Sequence, residues 1–421
     1  MAPVLDINDS SLGLWENGAL RLSSPGYALL DKNQYRFGEL ARNQARLQPR
    51  QINHRYWAQL DLEPLTPAFG PGRHSADIVH AHLMEIYEQG GRPEQLVIAA
   101  PGSLQHEQLA LLLGIADSCP FTVTGLVDRA VAATTVQPVA AYNWHVEVQL
   151  NQALLTGMRL ENGQLINDKT VPIPGSGWLA LQEALARAIA DAFIRQTRFD
   201  PRRAAQTEQA LYNAIPDILS RLQQASETNV DIDGRQARVE REALAEACNS
   251  HYQRIARTVM AEQAAVFLSP VLAQLPAIEN TLQGARSHSE DAVFQGVARN
   301  TDAMLGDDGG VHFIVSLPAD ADTGTHDGAS STPESLPEPA KSSAAAAKPV
   351  AEKTAPTRCQ IVFDNGKIAL HPGSGPALRL NGAPLQDEAG VATLRDGDLL
   401  EDASGKAWRL VAAEGHEDHG K

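Results

Sequence analysis

The opening segment reads Val4-Leu5-Asp6-Ile7-Asn8-Asp9-Ser10-Ser11-Leu12-Gly13-Leu14-Trp15. An apolar strand ends in an acid, passes a short polar turn and enters a second strand. A turn of this kind holds phosphate when glycines let the backbone N–H groups approach the oxygens. Here Asn8 and Asp9 stand at the turn, and a carboxylate at Asp9 repels phosphate. The hydroxyls of Ser10 and Ser11 suit a phosphate or a strand edge equally. His74, His80 and His82 cluster near an expected helix start, but His80 and His82 face different sides, so no shared metal is expected. His416 and His419 with Glu417 and Asp418 lie in a polar tail, and Trp144 beside His145 reads as core. No Gly-x-Ser-x-Gly, Walker or paired metal-ligand motif occurs.

The elements that must position these residues alternate. Leu96–Ala100 is a short apolar strand bounded by Pro101-Gly102. Ser103 suits the N-cap of a helix over Leu104–Ala116. A strand over Phe121–Thr124 and a helix over Leu126–Thr134 are expected next, which argues for an α/β sheet. Val146–Arg159 reads as two strands about a turn. Leu181, Leu185, Ile189 and Phe193 recur every four residues and mark an amphipathic helix. Asp200-Pro201 opens another helix, which Pro216 is expected to kink or end. No fixed short repeat is present.

The chain has 421 residues, 43% hydrophobic and 20% charged, enough for two or three domains. A formal net charge of −16 gives no footprint for nucleic acid or an anionic membrane. No apolar run approaches a membrane span, and no basic-then-apolar leader opens the chain, so a cytoplasmic protein is expected. Cys119, Cys248 and Cys359 lie far apart and read as reduced thiols. Residues 318–357 are Pro-, Ala-, Ser- and charge-rich and cannot bury a core, which marks a disordered linker. Residues 358–413 read as a small β domain with turns at Asp364-Asn365-Gly366, Asn381-Gly382 and Asp396-Gly397-Asp398. Residues 414–421 read as a disordered tail.

Taken in order, residues 3–305 resemble the nucleotide-binding part of DnaK-type heat-shock chaperones. Asp6 matches the acid of that family's first phosphate turn. Val97-Ile98-Ala99-Ala100-Pro101 resembles its connecting strand, and Val127–Ala133 follows with Asp128 at a Glu position. Glu147-Val148-Gln149-Leu150-Asn151-Gln152 stands at the second phosphate turn, with the carboxylate kept and every glycine gone. Phe199–Arg203 with Ala210-Leu211-Tyr212, and Val239–Leu244, are similar to second-lobe segments. Ala265–Pro270 stands at the adenosine turn, its two glycines replaced by Ser269-Pro270. Glu290–Ala298 is similar to the closing helix.

The resemblance implies an α/β, two-lobed actin-like ATPase (ribonuclease H-like) fold over residues 1–317. Lobe I spans about 1–140 and 290–317, and lobe II about 141–289. It implies Asp6, Asp128 and Glu147 as catalytic carboxylates lining the cleft floor. Asn8, Ser10, Ser11, Gln149, Asn151 and Ser269 are the implied nucleotide-binding residues. The peptide-binding domain is absent, and residues 40–75 are too short for the full outer subdomain. Leu380–Leu385 and Leu394–Leu400 are similar to the last strands of forkhead-associated domains, but that family's phosphothreonine-contacting Arg and Ser-x-x-His have no match. Three glycine-dependent turns have changed together, so the expectation is a chaperone-like interaction scaffold with a protein partner, no resident metal and no cofactor. The alternative is a divergent ATPase that uses ATP and Mg²⁺.

Overall fold

A strand buried on both faces needs an unbroken apolar run, and Gln95–Ala100 supplies one: Leu96, Val97, Ile98, Ala99 and Ala100 are all buried. In the computed structural model, which describes residues 2–259, 264–304 and 310–321 and the backbone of six strands between 359 and 409, this strand is central to a six-stranded sheet. Val4–Asp6, Leu12–Glu16 and Ala19–Ser24 form an antiparallel meander on one side of it. Thr122–Asp128 and Phe313–Ile314 lie on the other side, parallel to their neighbours. Val4 stands opposite Trp15 on one flank and Val97 on the other.

A second six-stranded sheet repeats the plan. Tyr142–Val148, Gln152–Glu161 and Gln164–Pro174 form its antiparallel meander. Ala265–Leu268 and Arg286–Ser287 continue it in parallel from Tyr142–Val148, and Ser316–Pro318 closes the far edge. The fold is therefore mixed α/β with several sheets. Two sheets with the same order and sense form a duplication of topology that no short sequence period reveals.

Helices Ser75–Gln89 and His106–Asp117 bury their apolar faces with the first sheet's core. Trp178–Thr197, Ala205–Leu222 and Arg241–Val259 do so with the second. Leu181, Leu185, Ile189 and Phe193 are fully buried. Arg129–Thr134 and Ala292–Arg299 share a third core with strands of both sheets. Gly296 permits their approach, since a Cβ there would sit 1.9 Å from the Ala132 carbonyl oxygen.

Several boundaries differ from the sequence reading. The expected helix over Leu126–Thr134 begins at Arg129, because Leu126–Asp128 completes the preceding strand and Asp128 caps the helix. The helix after Pro101 starts at His106, capped by Gln105 rather than Ser103. Asp200-Pro201 opens a short 3₁₀ turn, and the α-helix starts at Ala205 and runs through Pro216. The buried stripe Leu211, Ile215, Ile218, Leu219 and Leu222 holds that helix across its missing hydrogen bond. His82 is fully buried: its Nδ1 faces the Tyr56 hydroxyl at 2.8 Å and accepts from Trp57 Nε1 at 3.1 Å, and its Nε2 lies 2.8 Å from Ser24 Oγ.

The chain divides into two compact units, Met1–Asp327 and Gly328–Lys421. Order in the first persists beyond Leu317. Leu317 is fully buried, Val139 N–H donates to the Asp320 carbonyl at 3.0 Å, and Ala321 bridges Val139. The expected linker from residue 322 onward and the tail 414–421 lie outside the described residues. In the second unit the described residues are strands. Cys359–Asp364 pairs with Lys367–Pro372, and Ala383–Pro384, Arg379–Leu380, Leu399–Glu401 and Ala407–Arg409 form a sheet in that order.

Candidate functional site

The two sheets bring their corresponding strand ends together. Asp6 ends Val4–Asp6 and Glu147 lies one residue from the end of Tyr142–Val148. Ser269 follows Ala265–Leu268 and His288 follows Arg286–Ser287. Carboxyl ends of parallel strands are the usual ligand side of an open α/β sheet.

Between Asp6 and Glu147 lies the guanidinium of Arg129, the first residue of the helix after Asp128. Its Nε and Nη2 donate to both Asp6 carboxylate oxygens, at 2.7 and 3.1 Å, a bidentate fork. Its Nη1 forms an ion pair with Glu147 Oε2. Side-chain exposure is 8% at Arg129, 11% at Asp6 and 1% at Glu147, so the triad is almost wholly out of water. His145 Nε2 lies 3.1 Å from the same Glu147 oxygen and donates to it. Burial pushes the His145 pKa well down, helped by His288 and Arg129, so the ring is neutral at pH 7.

The His288 ring stacks on Phe267 at 5.2 Å and on His145 at 5.1 Å. Gln137 Nε2 donates to its Nδ1 at 3.1 Å, so the proton sits on Nε2. Burial brings the His288 pKa down to about 3.

The two turns expected to embrace phosphate hold one another. Asn8 Nδ2 donates to the Val148 carbonyl at 3.2 Å, and Ser10 Oγ to the same carbonyl at 3.0 Å. Asn8 Oδ1 meanwhile accepts from Ser10 N–H at 3.0 Å and lies 2.9 Å from Ser10 Oγ, whose single proton is shared between it and the Val148 carbonyl. Leu150 N–H donates to Asp9 Oδ1 at 2.6 Å. A phosphate bound at the second turn would take backbone donors of this kind. Asp9 thus uses its carboxyl to tie the two turns together. Burial raises its pKa to about 7, partly offset by the Leu150 and Ser10 N–H groups.

Asp128 does not join the acids. It is fully buried, and its Oδ1 caps its own helix through Ala130 and Val131 N–H at 2.8 and 3.3 Å. Its Oδ2 accepts from Asn167 Nδ2 of the second sheet at 2.7 Å. Burial raises its pKa, against the pull of those donors. An acid at a strand-to-helix junction suits a cap as well as a catalytic role, and here the cap uses it.

A cavity of about 200 Å³ lies in the cleft. Asp6, Asn8, Ser10, Ser11 and Ser269 line it among the expected residues, with Arg129, His145 and His288 beside them and Trp15, Val271 and Val293 as apolar wall. Gln149 lines a separate cavity of about 190 Å³ with Asp9. Asn151 lines neither and donates to the His54 carbonyl at 3.1 Å. His145 Nδ1, Glu147 Oε1, Ser269 Oγ and His288 Nε2 are buried without partners. No group of His, Cys, Asp and Glu among the described residues could hold a metal ion.

Sequence reasoning missed Arg129 and His288. The signal for Arg129 was its position, one residue past an acid at a strand end that faces two further acids. His288 carried none. No helix among the described residues is long and apolar enough to cross a membrane. Comparison with protein-family models and with curated proteins finds no match to this chain.

Proposed function

We propose that the chain is a chaperone-like scaffold built on the two-lobed actin-like ATPase plan, with a nucleotide cleft filled by its own side chains. The repeated sheet topology supports the plan: each sheet has a three-stranded antiparallel meander continued by parallel strands, three in the first and two in the second, with its acid on the first strand of the meander. The observation that carries the functional reading is Arg129. In a working ATPase of this plan, a metal ion and its waters sit among the cleft carboxylates and the transferred phosphate. Here a fixed guanidinium forms ion pairs with both Asp6 and Glu147. The Asp9 carboxyl takes a backbone donor that phosphate would need. The two lobes then serve as surfaces for a protein partner, with the tethered β unit as a second contact that raises effective concentration.

A second reading, a divergent ATP-binding enzyme, draws on the 200 Å³ cavity and the unpartnered polar atoms of Ser269, His145 and His288. Calorimetry and turnover assays with Mg-ATP separate the two, run beside Glu147→Ala. The scaffold reading expects no saturable heat and no Glu147-dependent phosphate release. Saturable binding with turnover lost in Glu147→Ala overturns it.

A further inference from the structure

A third cavity, of about 290 Å³, lies between the Tyr27–His54 segment and the helices Trp178–Thr197 and Ala205–Leu222. It shares no lining residue with the cleft cavity. Two of its lining residues are polar and largely buried, with their polar atoms open to the void. Tyr27 is 3% exposed and Gln182 is 4% exposed, and neither the Tyr27 hydroxyl nor the Gln182 amide has a hydrogen-bond partner among the described residues. His54 Nδ1, also lining the cavity, is buried without a partner. The Tyr27 hydroxyl and the Gln182 amide therefore meet only what fills the void, and His54 Nδ1 is the one lining atom cut off from any partner.

The chemistry of the lining selects that ligand. Arg42 and Arg46 bring two guanidinium groups to the wall, and no carboxylate lines the cavity. Arg42 is held by Glu39 at 2.7 Å. The Arg46 guanidinium stacks 3.7 Å from the centre of the Tyr212 ring. Its nearest carboxylates, Glu208 and Glu183, stand at 3.6 and 3.8 Å, too far for hydrogen bonds. Glu183 meanwhile accepts from the Tyr212 hydroxyl. The backbone of this segment is anchored, since Arg46 N–H donates to Gln209 Oε1 at 2.7 Å and Gln209 Nε2 to the Arg42 carbonyl at 3.2 Å. Burial raises the Tyr27 pKa to about 12 despite both arginines, so its O–H stays a donor at neutral pH.

We infer that this cavity is a binding site for a small oxyanion, a carboxylate or phosphoryl group on a compact body, held by Arg46, Tyr27 and Gln182. The volume admits such a ligand whole, and the lining offers a guanidinium, a hydroxyl and an amide as donors. The inference is independent of the scaffold reading, because it uses none of the cleft residues.

Thermal-shift and calorimetric titrations of the full chain with inorganic phosphate and with succinate test it, at ionic strength held constant with chloride. Saturable stabilisation by either probe is expected, and the stronger probe identifies the head group. Arg46→Ala should weaken that binding by about tenfold, the loss of one charge-assisted hydrogen bond. Tyr27→Phe should weaken it by about three- to tenfold. Arg21→Ala, on a distant exposed ion pair, should change nothing. No saturable shift with either probe overturns the inference. So does an undiminished affinity in Tyr27→Phe, which would leave the hydroxyl a packing defect only.

Discussion

Replacing Arg129 with methionine keeps the length of the side chain and removes the charge shared by Asp6 and Glu147. Both acids remain buried, at 8% and 1% exposure, and face one another across the vacated space. Removing one partner of a buried pair costs about 3–5 kcal/mol. The cost arises because the remaining charges lose compensation: two unit charges roughly 4 Å apart interact by about 4 kcal/mol at an effective dielectric of 20. At about 2 °C per kcal/mol for a unit of this size, the melting temperature should fall by about 6–10 °C. Urea and thermal unfolding of wild type, Arg129→Met, the pair Asp6→Asn with Glu147→Gln, and the triple variant measure it. The triple variant should recover most of the loss, since a neutral triad carries no stranded charge. Millimolar Mg²⁺ should stabilise Arg129→Met and leave wild type unmoved, because only the variant has an open cation position. An Arg129→Met protein within about 1 kcal/mol of wild type would refute the triad argument. A triple variant no more stable than Arg129→Met would refute it equally.

The remaining expectations follow from burial and close packing. His288 has a folded pKa of about 3 against an ordinary 6.5, so the folded state resists protonation and its stability falls as pH drops below 6.5. The loss is about 1.4 kcal/mol per pH unit, or about 2 kcal/mol by pH 5. His288→Gln should flatten the urea-derived stability profile by that slope, and an unchanged slope sinks the assignment. Asp9 carries the opposite sign: its folded pKa of about 7 lies above the ordinary 3.8, so its contribution is lost as pH rises from 4 to 7. Asp9→Asn, neutral throughout, should be more stable than wild type at pH 8 by up to about 4 kcal/mol and show no advantage at pH 4. Equal profiles for the two proteins would be the refuting result. Gly296→Ala drives a Cβ to within 1.9 Å of the Ala132 carbonyl, and should destabilise by about 1–3 kcal/mol despite alanine's better helix propensity. A neutral or stabilising effect in thermal melts would show that the two helices can part cheaply.

Local signals carried the elements, and contacts distant in sequence decided the site. The four-residue spacing of Leu181, Leu185, Ile189 and Phe193 encodes a buried helical face within a single turn-to-turn period. The acid-and-polar turn after Leu5 was equally readable as a strand-to-strand junction. Whether Asp6 faces water, metal or arginine depends on residue 129, which is 123 positions away. Asp128 misled for the same reason: its cap is local, but the Asn167 amide that takes its second oxygen comes from the other sheet. Pro216 does not end its helix, one of the two outcomes expected of it, because five buried side chains hold the turns on either side. Only the tertiary contacts of Arg129 with Asp6 and of Asp9 with Leu150 spoke to the chemistry at the strand ends.

On the proposed reading of the strand ends as a closed nucleotide cleft, these contacts set the cost of admitting nucleotide. Entry of a polyphosphate between the turns must break Asn8–Val148, Ser10–Val148 and Asp9–Leu150, three hydrogen bonds that each contribute about 1 kcal/mol net. It must also draw Arg129 away from Asp6 or Glu147, which costs about 3–5 kcal/mol. The open cleft therefore lies about 6–8 kcal/mol above the closed one, a population of about one in 10⁴ to 10⁶. Apparent affinity falls by the same fraction, so an intrinsic micromolar site would bind with a constant of 10 mM or weaker, on the order of 10⁴-fold loss. Arg129→Met together with Asp9→Gly removes the guanidinium and one turn-to-turn bond, and should lower the cost by about 4–6 kcal/mol. Isothermal titration of that variant with Mg-ATP, whose cation replaces the lost guanidinium charge, should then detect binding where wild type gives none. If wild type binds Mg-ATP below about 1 mM, the energetic barrier assigned to the closed cleft is wrong. If both proteins fail to bind at 10 mM, the barrier is not what excludes ATP, and the missing backbone approach at Gln149–Asn151 must suffice alone.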